Sequence, residues 1–262
     1  MIKNYFSFIK EHKFWGKSIS EFLSWLDNKS DKHWVILDTE TTGLRSDPYE
    51  VQLTQVSCIV VKYNFISNTF EEVGSFNKKV KLTQKTTELM SDPDHRIHKV
   101  LQFNHYEEGD NELHQEENVL QDFFEYIKQF DKPILVIQNA EFDMKFLNTR
   151  HPIVRFDNEV IDTKQVLQLF YLPALQKLTE NDPKYQQLID NIGTSDRDNG
   201  LISSSMSKIG PALGINMTGY HDALTDCRLA MEMFKRVIEF LKENQNIDIS
   251  TYQAERIKTK RK

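Results

Sequence analysis

The hydrophobic positions of this chain change period several times along its length. In residues 5–28, Tyr5, Phe6 and Ile9, then Ile19, Phe22, Leu23 and Leu26, recur at helical spacing with Gly16 between the groups. That spacing predicts two short amphipathic helices. The pattern then becomes continuous: Val35, Ile36 and Leu37 form an unbroken apolar run ending at Asp38, as a central strand buried on both faces does. Residues 51–61 predict a second strand. Residues 68–82 follow a short polar connection and carry Phe70, Val73, Phe76 and Val80, so the three strands make an antiparallel meander.

Residues 91–116 are polar, rich in His, Asp and Glu, and weakly periodic; they read as loop with some helix. Over 117–130, Leu120, Phe123, Phe124 and Ile127 return at steps of three and four, a helix. Pro133 precedes a second buried-strand run at 134–137, and a helix rich in Phe, Met and Leu starts from Glu141. Beyond Asp162, helical patterns alternate with polar breaks at 181–183 and 193–200, and a long helix over 222–241 closes the pattern. The expected organisation is an N-terminal helical extension at 1–33, one domain at 34–243, and a polar, basic tail at 244–262. The expected class is α/β, a mixed sheet flanked by helices.

Composition narrows the field. With 262 residues, 39% of them hydrophobic, the chain can bury a sizeable core. Its net charge of −6 argues against coating nucleic acid through a globally basic surface, but not against one local site served by cations. The two cysteines, Cys58 and Cys227, each sit in an apolar run, which supports neither a disulfide framework nor a zinc cluster. No apolar run approaches the roughly 18 residues of a membrane span, and Met1 to Lys10 lacks a signal-peptide core. A cytoplasmic chain without membrane contact is expected.

The chemistry gathers at acids beside buried strands. In Asp38-Thr39-Glu40 the two carboxylates are two residues apart, so on a strand they face one side together. Such a pair arises by chance about once in a chain of this acidity, but burial of Val35, Ile36 and Leu37 drives Asp38 to the edge of a core. Charge is costly there unless a partner or a metal compensates it. Asn139-Ala140-Glu141-Phe142-Asp143 turns from the 134–137 strand into a helix, which puts Asp143 near another strand end. In His221-Asp222-Ala223-Leu224-Thr225-Asp226, Asp226 lies about 60° from the apolar stripe residue Ala223 at ideal helical rotation. His221 reaches the same place only from the loop before the helix.

Taken together, these three strings resemble the DEDDh family of 3′–5′ exonucleases, with Asp38-Thr39-Glu40-Thr41-Thr42-Gly43-Leu44 as the first motif. All five signature positions occur in order. The family often has His-Asn where Gln138-Asn139 stands here. The resemblance implies an RNase H-like fold, with three antiparallel strands followed by parallel ones. It implies that Asp38, Glu40 and Asp226 hold one divalent ion, Mg²⁺ or Mn²⁺, that Asp38 bridges to a second with help from Asp143, and that His221 is the general base. It further implies that Thr41, Thr42 and Asn139 contact the terminal nucleotide while Leu44 and Phe142 pack against its base or sugar.

The expected activity is release of nucleoside monophosphates from a free 3′ end, with single-stranded DNA favoured. RNA is the alternative substrate. A third reading, a non-catalytic module, docks to a polymerase or another replication protein through the N-terminal helices or the basic tail.

Overall fold

The computed structural model describes residue 14 and residues 16–43, 51–106, 113–150, 155–195 and 200–260, the last four without their side chains. The first of the two expected N-terminal helices, with Leu44 of the first motif, lies outside these. The second is α1 (Ile19–Asp27), opened by a capping box in which Ser18 and Glu21 satisfy each other's backbone N–H. Its stripe of Ile19, Phe22, Leu23 and Leu26 is buried, and Phe22 stacks on Phe170 with centroids 4.4 Å apart. This segment therefore shares the main core.

The sheet runs β4-β3-β2-β1-β5-β6. Strands β1 (His33–Thr41), β2 (Leu53–Asn64) and β3 (Thr69–Val80) are the expected antiparallel meander. Strands β5 (Ile134–Ile137) and β6 (Val160–Asp162) join parallel to β1. The polar stretch after β3 supplies two short helices, α2 (Gln84–Met90) and α3 (Arg96–Phe103), and then β4 (Leu113–His114), a parallel pair of residues on the far edge.

Alternation along β1 divides the interior in two. Trp34 and Ile36 join Ile59, Val61 and Val136 in one core. Val35 and Leu37 join Cys58, Val60 and Ile137 in the other. On this second side lie α4 (Glu116–Lys128) and α5 (Ala140–Thr149). The first side is covered by α1 and by a continuous helical run: α6 (Thr163–Val166), a π-helical turn at Leu167–Tyr171 and α7 (Leu172–Thr179). After α8 (Pro183–Ile192) and α9 (Met206–Ala212), the long α10 (Ala223–Glu243) crosses the same face with Cys227, Ala230, Phe234, Val237 and Leu241 buried. Burial of Phe234, Val237 and Leu241 contributes about 1.5–3 kcal/mol each.

Residues 250–260 form α11 (Ser250–Lys260). They hold few apolar groups; Gln253 anchors the helix by donating to the carbonyls of Lys17 and Leu169, 3.1 and 2.8 Å away. Both cysteines are buried and unbridged. Among the described residues, no helix is long and apolar enough to cross a membrane.

Candidate active site

Strand β1 delivers the first two acids. Trp34, Ile36, Asp38 and Glu40 share one face, so the stripe that packs under α10 continues as carboxylates at the strand end. Asp38 pairs with Ser57 and Glu40 with Gln55, and the register then shifts so that Thr41 meets Leu53. Beyond this bulge the Thr41 hydroxyl donates to the Gly43 carbonyl at 2.7 Å, and the Thr42 hydroxyl accepts from the Gln52 N–H at 3.0 Å. Both hydroxyls are thus engaged by neighbouring backbone.

Parallel pairing of Leu37 with Ile137 sets the end of β5 beside the end of β1. The chain turns there through Asn139, held at φ 67°, a left-handed conformation that Asn tolerates better than most residues. Helix α5 then places Asp143, only 2% exposed, under β1. One Asp143 oxygen accepts from both the backbone N–H and the hydroxyl of Thr39, at 3.0 and 2.7 Å.

Helix α10 delivers the last acid. Asp222 caps it, accepting from the Thr225 N–H at 2.9 Å, and Asp226 follows one turn later with its carboxylate buried. Both oxygens of Asp226 accept from the backbone N–H of His221, at 3.2 and 3.3 Å. His221 precedes the helix with φ 77°, so it occupies the loop position that a shared site requires. Its ring contacts those of Tyr220 and Phe103, tilted by 44° and 39°, each with its centroid 3.8 Å away. Ligand atoms of Glu40, His221 and Asp226 all lie within 4.8 Å of one another.

Burial and mutual repulsion set the titration of the four acids. Burial, reinforced by Asp143, Glu40 and Asp226, holds Asp38 well above the usual carboxylate range. Burial raises Glu40 to about 9, with Asp226 and Asp143 adding repulsion. It raises Asp143 to about 7 against the lowering effect of the Thr39 hydrogen bonds, and Asp226 to about 7 against that of the His221 N–H. Burial lowers the His221 imidazole. Mutually repelling carboxylates at a strand end fit hard divalent cations, which prefer oxygen ligands.

The expected nucleotide contacts are less uniform. Thr41 and Thr42 are buried, 5% and 2% exposed. Asn139 is exposed and its side-chain oxygen accepts from Lys164 at 3.3 Å; Phe142 is half-buried beside Phe146. Gln138, in the family's usual histidine place, donates to the Ser204 carbonyl at 3.1 Å and accepts from the Thr163 hydroxyl at 2.5 Å, tying the end of β5 to the start of α6 and to the segment before α9. Sequence reasoning missed Phe103, which sits on a short helix in a polar stretch, and Gln55, a lone amide in an apolar strand. Neither carries a periodic signal.

The exonuclease family's model, of the RNase T type, matches residues 35–234. Among solved structures, Escherichia coli exonuclease I in complex with a dT13 oligonucleotide aligns with TM-score 0.54 and 19% identity over 79% of this chain and 41% of that one. The zinc-bound form of the same exonuclease with single-stranded DNA aligns with TM-score 0.52 and 15% identity, over 81% and 42% of the two chains. This chain thus spans less than half the length of those enzymes, and at such identity the likeness is one of fold. No curated protein sequence is significantly similar to it. With the family's match running from the β1 acids into α10, this chain belongs to the DEDDh-type exonuclease family of the RNase H-like superfamily.

Proposed function

We propose that this exonuclease removes nucleoside monophosphates from the 3′ end of single-stranded DNA, with Asp38, Glu40, Asp143, Asp226 and His221 as its reacting set. The observation that carries this reading is the meeting of Glu40, His221 and Asp226 within 4.8 Å, beside Asp38 and Asp143, on elements far apart in the chain. Asp38, Glu40 and Asp226 would hold one divalent cation, and Asp143 together with Asp38 would hold a second. Bound Mg²⁺ or Mn²⁺ supplies charge neutralisation at the scissile phosphate and at the departing 3′ oxygen.

The chain's own groups do the rest. His221, kept neutral near physiological pH by its partial burial, accepts the proton of the attacking water. Asp226 fixes the loop that carries it through two backbone contacts, and the Phe103 and Tyr220 rings pack against the imidazole. Thr39 orients Asp143. Asn139 and Phe142, at the mouth of the site, are the surfaces for the terminal nucleotide. The choice of DNA draws support from the oligonucleotide bound to the E. coli enzyme of like fold.

The test is digestion of 5′-labelled single-stranded DNA, the same-sequence RNA and duplex DNA with Mg²⁺ or Mn²⁺. A ladder shortening from the 3′ end of DNA, lost in Asp38→Ala, is the expected result. Faster loss of RNA moves the substrate to RNA, and full activity in Asp38→Ala overturns the site.

A further inference from the structure

We infer that Gln55 is a positioning residue, setting the spacing between Glu40 and the Asp226–His221 pair by fastening the start of α10 to β2. The inference rests on the exonuclease reading above, since it takes these acids and the histidine as the reacting set.

Gln55 stands directly across the ladder from Glu40, so the two side chains leave the same face of the sheet. It is 4% exposed, in a strand otherwise chosen for apolar packing, and its amide is heavily engaged. The nitrogen donates to Asp222 at 3.0 Å and to Asn77 at 3.0 Å. The oxygen accepts from the backbone N–H of Ala223 at 3.2 Å. Asn77 is itself held by the Ser57 hydroxyl at 2.8 Å, and Ser57 is the ladder partner of Asp38.

These partners make the amide hard to replace. A helix start leaves its first N–H groups without intrahelical partners, and Gln55 satisfies one of them. It also donates to the capping carboxylate, whose other oxygen takes Thr225. An N–H can only donate and a carboxylate can only accept, so one amide of this length serves both, while Glu or Leu at this position serves at most one. Asp226 lies one turn beyond the cap, with its N–H on the Asp222 carbonyl at 2.8 Å, and it holds the His221 backbone. Any slip of the helix start therefore moves both Asp226 and His221 away from Glu40. The three partners of the Gln55 amide are all groups of the protein.

The experiment compares Gln55→Leu, Gln55→Glu, Asn77→Ala and the double variant Gln55→Glu/Asp222→Asn in the full chain, with folding checked by melting in Mg²⁺. In the double variant Asn caps as well as Asp and donates to the new carboxylate, restoring the pairing in reverse. The Gln55 single variants are expected to lose about 10–100-fold in kcat with KM within about twofold. Asn77→Ala, which frees one side of the amide, loses less in the same direction, and the double variant recovers most of the loss. Single variants with kcat within about twofold of the parent, equal loss in kcat and KM, or a double variant as poor as the product of its singles overturns the inference. Mn²⁺ titration provides a reading independent of turnover: Gln55→Leu binds about tenfold more weakly, and unchanged affinity overturns the inference. Should the unaltered chain cleave no nucleic acid, the exonuclease reading fails while the titration still decides the role of Gln55.

Discussion

Thr39 and Asp143 lie 104 positions apart in sequence, yet the Thr39 hydroxyl and backbone N–H converge on one Asp143 oxygen at 2.7 and 3.0 Å. The strand that carries Asp38 and Glu40 thus also aims the acid contributed from the opposite face of the sheet. Thr39→Val keeps the shape and removes the hydroxyl. It should cost about 1–2 kcal/mol of stability, as a lost buried hydrogen bond to a charged group does, and about tenfold in kcat. Denaturant melts and steady-state kinetics on the same preparation check both.

Removing a repelling charge should act in opposite directions on activity and stability. Asp38→Asn relieves a cluster in which Asp143, Glu40 and Asp226 all push against Asp38. In EDTA the variant should melt a few degrees above the parent, since about 1 kcal/mol shifts a chain of this size by roughly 2–4 °C. With Mg²⁺ the order should reverse and cleavage should disappear. Paired thermal scans with and without the cation are the check.

The same carboxylates give the metal-free protein a particular pH response. Glu40 titrates at about 9 and Asp143 and Asp226 at about 7, against about 4 for free carboxylic acids. The folded state therefore holds more protons than the unfolded state between these limits, and stability falls as pH rises through that window. The contribution is full below about pH 4 and lost as pH passes 7 and then 9. Melting in EDTA should show this decline, and Mg²⁺ should flatten it. A metal-free melting temperature that rises from pH 6 to 9 contradicts the assignment.

Phe103 is 58% exposed and contributes little to the core, yet its ring packs against that of His221. Phe103→Ala should leave the melting temperature nearly unchanged, as surface substitutions of about ±0.5 kcal/mol do. Solvent reaching the ring removes part of the burial that lowers the imidazole. The acid limb of the pH–rate profile, where the base must be neutral, should then move to higher pH.

What the sequence revealed followed from the strength of each local pattern. The runs ending at Asp38 and at Ile137 have one plausible fate, a buried strand, and so placed two of the acids. The stripe of Ala223, Cys227, Ala230 and Phe234 placed Asp226 at the margin of a buried face. Helices α2 and α3 bury only Thr86, Ile97 and Leu101 between them, too few to impose a period, and Phe103 was hidden with them. Helix α11 is held by the polar groups of Gln253 and Arg256, both 3% exposed, so it looked like a charged tail. Gln55 escaped notice because two of its three partners, Asp222 and Ala223, lie more than 160 positions further along the chain.

The loop from Gly219 to His221 bends through positive φ at both ends, 81° and 77°. Gly adopts this freely, whereas at histidine it costs about 1 kcal/mol or more. His221 is held there by the bonds of its N–H to Asp226 and by contact with the Tyr220 and Phe103 rings. The four acids arrive on β1, α5 and α10, elements distant in sequence, so no single segment of the chain carries the site and it exists only where these elements are packed together.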